Sequence, residues 1–152
     1  MSVLSIQSHV VYGHVGNSAV SFVLQRLGLE IWPINTVQFS NHTGYADWEG
    51  RVTPVDEVQA LLQGLSRRNV LPRCEAVLTG YLGLPALGDA VLDAVAMAKT
   101  ANKKAVWCCD PVMGDEGRGF FVPPAMAEFF KKRALPLADF LTPNQFELEQ
   151  IS

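Results

Sequence analysis

Charge and cysteine are both scarce in this chain. Charged residues make up 18% of its 152 positions and the formal net charge is only −3, which excludes the strongly basic face expected of a nucleic-acid-binding protein. Hydrophobic residues, at 49%, equally exclude a disordered chain. No apolar run approaches the roughly 20 residues that cross a bilayer, and no basic segment leads into an apolar one at the N-terminus. A cytoplasmic protein without membrane or nucleic-acid partners is therefore expected. Cys74, Cys108 and Cys109 form an odd set with an adjacent pair, which suits neither a disulfide framework nor a zinc site. They read as small buried hydrophobes.

What is present is alternation. "VLSIQS" is a short apolar run, and "NSAVSFVLQRLG" follows with Val20, Val23, Leu24 and Leu27 at helical spacing and Gly28 as a stop. "EIWPINTVQF" is the next strand, in which Pro33 argues for a sheet edge or a bulge. In "TPVDEVQALLQGLSRR", Thr53 can cap, Pro54 fits the first turn, and Val58, Leu61, Leu62 and Leu65 form a stripe. "EAVLTG" and "KAVWCCD" read as buried strands separated by the helix "PALGDAVLDAVAMAKTA". A short strand, "ADFL", leads into a last helix opened by Pro143. This alternation predicts a largely parallel sheet of at least four strands, covered on both faces.

In such sheets ligands bind beyond the C-terminal strand ends, and the unusual residues fall there. Gly13 and Gly16 after the first strand have the spacing of neither a dinucleotide fingerprint nor a phosphate-binding loop, so alone they mark a turn. His9, His14 and His42 share no paired helical spacing and read as hydrogen-bonding loop residues. In "DPVMGDEGRG", Asp110 ends a strand and Asp115 sits in a glycine-containing loop, where carboxylates can hold a divalent cation, orient a hydroxyl, or simply cap a turn. In "TPNQFE", Asn144 and Glu147 stand three residues apart at a helix start, suited to a hydrated magnesium beside phosphate oxygens. The basic run in "FFKKRALP" reads as a solvated face that complements a helix dipole.

Together and in order, "QSHVVYGHVGN", "VQFSNHTGYADW", "LTGYLG", "CDPVMGD" and "TPNQFELE" resemble the pyridoxal kinases of the ribokinase-like superfamily. The resemblance runs from the first strand to Ser152. It implies a three-layer α-β-α fold with a mostly parallel central sheet, incomplete in this chain, and makes residues 1–152 the N-terminal, substrate-binding half of one kinase domain. The implied reaction is ATP-dependent phosphorylation of the 5′-hydroxyl of pyridoxal, or of pyridoxine or pyridoxamine. The implied enzyme is a homodimer that requires Mg2+, with a monovalent cation such as K+ as a further candidate.

By the same resemblance, Ser8 would hydrogen-bond the polar edge of the pyridine, Thr43 would contact the ring and Tyr81 would pack on its face. Val15 and Phe39 would line the apolar wall. Asp110, Asp115, Thr142, Asn144 and Glu147 would lie on the nucleotide side, with Asp110 and Glu147 toward the metal. The segment from Trp48 to Val52, and with it the second strand, would form a flap over the substrate or a small edge sheet. The chain departs from the family in one respect: the glycine-rich G-x-G-D motif, which supplies the family's anion hole and general base, does not occur here. No catalytic base is therefore assigned, and the 152 residues alone are expected to be inactive. Two alternatives stay open, a non-catalytic fragment that keeps vitamer binding or dimerisation and a hydroxymethylpyrimidine kinase; "SNHTGY" favours pyridoxal over the latter.

Overall fold

Nine residues, Ser2–Val10, form β1, the most deeply buried strand of a computed structural model that describes Met1–Ser152. Its side chains alternate between two differently built faces. Leu4 and Ile6 enter a core of 23 buried residues, whereas Ser5 donates from its hydroxyl to Asn17 Oδ1 at 2.7 Å on the first helix. That helix, α1 (Asn17–Arg26), leads to β2 (Glu30–Phe39), β3 (Gly50–Val52), α2 (Val55–Arg67), β4 (Cys74–Thr79), α3 (Leu87–Ala101) and β5 (Val106–Cys109). A hairpin of β6 (Gly114–Asp115) and β7 (Gly119–Phe120) follows. Next come α4 (Ala125–Phe129), which widens into a π-turn over Phe130–Ala134, then β8 (Phe140–Leu141) and α5 (Gln145–Ile151).

The main sheet has the order β3-β2-β1-β4-β5-β8, with every pairing parallel except β2 with β3. This is the expected α/β architecture, with a six-stranded, mostly parallel sheet. One face carries the large core. Val58 and Leu62 of α2, a small-residue face of α3 (Ala90, Val91, Ala94, Ala98), Phe129, Phe130 and Ile151 pack on Leu4, Ile6 and Trp107. Trp107 is fully buried, so its indole N–H needs a partner, and it donates to Thr79 Oγ1 at 3.0 Å. The other face is covered by α1, joined to the sheet through polar groups.

Four local expectations change. The α1 stripe is not a core face: Val23 and Leu27 are 52% and 68% exposed, because the buried contact of this helix is made by Asn17 at its first turn. Gly28, at φ 77°, does end the segment. Thr53 does not cap α2; its hydroxyl donates to the Asn35 carbonyl at 2.7 Å and ties the start of that helix to β2. Pro143 precedes the N-cap instead of opening α5, since Asn144 holds the cap position. Finally, β2 stays in the sheet along its whole length, and only the loop after it and β3 project.

Candidate active site

The C-terminal ends of β1, β2, β4 and β5 open onto a cavity of about 550 Å³. Ser8, Val15, Phe39, Thr43 and Tyr81, drawn from stretches far apart in the chain, all line it, and so does Asp115. Val10, Val37, His42, Gly44, Val112, Arg118 and Phe121 complete the wall.

Local irregularity sets the position of Ser8. The β1–β2 register passes from Gln7↔Asn35 to His9↔Gln38, so Thr36 and Val37 together stand opposite Ser8. Such a bulge re-aims side chains next to a site. Thr36, freed from the regular ladder, donates its hydroxyl to the Tyr81 carbonyl at 2.6 Å and so ties β2 to the loop after β4. From the other side Gly16 presses on Ser8. Its φ is 52°, and a Cβ there would lie 2.3 Å from Ser8 O and 2.4 Å from Ser8 Oγ, so only glycine fits. The glycine in "GHVGN" serves an approach of backbone to Ser8. Asn17 fixes this turn from beneath, accepting from Ser5 and donating to Ile34 O at 3.0 Å and Asn35 Oδ1 at 2.9 Å.

Seven of the thirteen wall residues are hydrophobic, and Ser8, His42, Thr43, Asp115 and Arg118 set polar groups among them, the combination of apolar surface and placed polar groups that a small-ligand site requires. Phe39 is buried and stacks on Trp48 at a centroid distance of 4.2 Å, which anchors the loop that carries Thr43. Burial raises the Tyr81 hydroxyl above its ordinary range, so it is protonated at neutral pH.

The second group of expected site residues lies beside the cavity, around the start of α5. Asn144 and Glu147 form a reciprocal capping box: Asn144 Oδ1 accepts from Glu147 N–H at 2.9 Å, and Glu147 Oε2 accepts from Asn144 N–H at 3.0 Å. The other Glu147 oxygen accepts from Met113 N–H at 2.9 Å. Asn144 also donates to Gly114 O at 2.8 Å and approaches Asp115 Oδ1 at 3.4 Å. With Phe120 edge-on to Phe146 at 5.1 Å, these bonds hold the β6–β7 hairpin against α5. Asp110 follows β5, and its pKa is pushed up to about 6, first by burial and then by the charge of Glu147; the neighbouring Thr142 hydroxyl opposes the rise.

Both expected groups are thus assembled at one end of the sheet. His42 and Arg118 stood within noticed stretches, yet their part in the wall had no local signal. Val10, Val37 and Val112 were hidden among other apolar residues. Cys74 and Cys109 are buried as expected, while Cys108 is only half-buried; burial raises the thiols of Cys74 and Cys108, and pushes Cys109 up to about 12.

No protein-family model matches the chain. It is 59% identical over all 152 residues to the pyridoxal kinase PdxY of Granulibacter bethesdensis, covering 53% of that protein, and 57% identical over the same span to that of Rubrobacter xylanophilus, covering 52%. Among solved structures, a Leishmania donovani pyridoxal kinase in complex with ADP and pyridoxine superposes with a TM-score of 0.93 at 40% identity. That match covers 99% of this chain and 53% of the kinase. The chain spans about half the length of the curated relatives it matches.

Proposed function

We propose that this chain, homologous to the pyridoxal kinases along its whole length, is the substrate-binding half of an enzyme that phosphorylates the 5′-hydroxyl of pyridoxal with ATP. The observation that carries this reading is the single cavity in which Ser8, Thr43, Tyr81, Val15 and Phe39 face one another beside Asp115. Tyr81 and Phe39 offer flat apolar surfaces, while Ser8 and Thr43 offer the two neutral hydroxyls that a substituted pyridine needs. Pyridoxine and pyridoxamine present the same ring and the same hydroxyl.

The nucleotide side is assigned to Asp110, Asp115, Thr142, Asn144 and Glu147. The carboxylates fit a hydrated Mg2+: burial and the Glu147 charge make Asp110 retain a proton to about pH 6, a position a cation can take instead. Asp110 would hold the ion directly. Glu147 would act through the ion's water shell, because backbone N–H groups already occupy each of its oxygens. When bound, Mg2+ supplies charge neutralisation to the phosphate oxygens. Asn144 positions the Asp115 hairpin, and Thr142 orients Asp110. A monovalent cation such as K+ belongs to the same side. The exposed Phe22 and Val23 of α1 and Leu27 just after it support a homodimer. Action in the cytoplasm belongs to the same reading; no helix is long and apolar enough to cross a membrane.

Phosphoryl transfer also needs donors for the phosphoryl oxygens and a base for the hydroxyl, and the carboxylates here serve the metal side and the loops. The full-length protein with pyridoxal, ATP and Mg2+ is expected to form pyridoxal 5′-phosphate. The 152-residue polypeptide is expected to be slower by about 10³-fold or more, the scale of losing preorganised charge stabilisation. No product from the full-length protein would overturn the assigned reaction, and comparable turnover by the short polypeptide would overturn the division of labour.

A further inference from the structure

We propose that Arg118 is a strap: a positioning residue that closes the vitamer cavity by joining the loop after β2 to the β6–β7 hairpin. The proposal rests on the kinase reading above and concerns how its substrate is retained. Arg118 Nη2 donates to the Gly44 carbonyl at 3.2 Å across a sequence separation of 74 residues. It is the one hydrogen bond that links these two segments, and both residues line the cavity.

Each end of the strap is prepared by its own loop. On the hairpin, Arg118 N–H donates to Asp115 O at 3.2 Å, which fixes the arginine beside Asp115. On the opposite loop, Gly44 N–H donates to His42 Nδ1 at 3.1 Å, Tyr45 N–H donates to His42 O at 3.2 Å, and the His42 ring packs on Tyr45 at 4.6 Å. This turn leaves the Gly44 carbonyl for the guanidinium. The absence of a side chain lets the guanidinium approach: a Cβ on Gly44 would lie 2.9 Å from Arg118 Nη1 and 2.7 Å from the His42 ring. Asp115 and Thr43, assigned to opposite sides of the reaction, are thereby brought under one latch. Occupancy by the vitamer then favours the closed arrangement, in which the hairpin that carries Asp115 is held against the loop that carries Thr43.

The test uses the full-length kinase carrying Arg118→Ala, Arg118→Lys, Gly44→Ala and the Arg118→Ala/Gly44→Ala pair. Losing one hydrogen bond from a charged donor is worth about tenfold in affinity, so Arg118→Ala should raise the KM for pyridoxal about tenfold while the KM for ATP stays within about twofold. Lysine keeps a donor, so Arg118→Lys should recover most of the loss. Gly44→Ala should resemble Arg118→Ala, and the pair should be no worse than either alone, since both remove one contact. Hydrogen exchange of the amides in residues 41–48 should quicken in Arg118→Ala without ligand.

Unchanged pyridoxal KM and unchanged exchange in Arg118→Ala would overturn the strap. So would a fall in kcat at constant KM that lysine fails to restore, because that pattern belongs to a guanidinium acting on the phosphoryl group. A wild-type enzyme that does not phosphorylate pyridoxal would sink the assigned reaction instead, and the exchange comparison would still decide the strap.

Discussion

The two halves of the site are built on opposite principles. Around the cavity, side chains point into open space: Ser8, Thr43 and Tyr81 line it, and their loops are held by other groups, such as Thr36 on the Tyr81 carbonyl and Trp48 on Phe39. Around α5 the polar atoms are engaged within the chain. Glu147 accepts from two backbone amides, and Asn144 serves both the helix end and the hairpin. Side chains that line the cavity are thus held from behind, whereas Asn144 and Glu147 are spent on loop placement. A substitution in the first region should read out in vitamer affinity, and one at Asn144 or Glu147 in stability before any effect on the nucleotide side.

The largest expected effect probes the second region. Glu147→Ala leaves the amides of Met113 and Asn144 without acceptors at a position that is 3% exposed, which should cost about 2–4 kcal/mol in denaturant unfolding of the full-length protein. Glu147→Gln keeps one acceptor oxygen and should lose less. A neutral Glu147→Ala would erase the contrast. Next in size is Tyr81→Ala, expected to weaken pyridoxal binding by about 1–3 kcal/mol through lost aromatic contact and buried area, with ATP affinity little changed in titration. An effect on ATP alone would move Tyr81 to the other half.

Asp110→Asn should give the smallest effect, and it depends on pH. The folded chain keeps the Asp110 proton up to about pH 6, whereas the ordinary value is 3.8. The ionised carboxylate therefore destabilises the fold above that window, and the penalty fades as pH falls through about 6 toward 4. Asparagine should stabilise the metal-free protein at pH 8 by ~1–2 kcal/mol, allowing for solvent screening of a partly exposed group. The gain should vanish by about pH 4, and a gain independent of pH would show that packing, not charge, sets it.

Much of this was legible because local signals and topology agree. Alternating strand and helix patterns gave the parallel sheet, and the rule that ligands gather at C-terminal strand ends singled out the loops that carry Thr43, Tyr81 and Asp110. What stayed hidden depends on tertiary partners. The exposure of Val23 and Leu27 has the same sequence signature as a core stripe. Thr53 has the chemistry of a cap, yet the Asn35 carbonyl competes for its hydroxyl. Arg118 meets Gly44 only because two loops from distant segments fold over one cavity, and no spacing rule connects them.

Pro33 has a consequence for how the sheet can grow. Hydrogen-bonded cover from β3 and the residue after it reaches β2 only from Asn35 onward, which leaves the stretch from Glu30 to Ile34 as an open border with the exposed, amide-less Pro33 at its middle. A strand that docks there finds a missing donor, so the border discourages edge-to-edge association and amyloid-like stacking. The opposite border, at Phe140 and Leu141 of β8, carries no proline and exposes Phe140 at 59%. The two borders of the sheet thus differ in kind: the one beside β3 is blunted by a missing donor, and the one at β8, on the far side of the sheet from the loop after β2, is open to pairing.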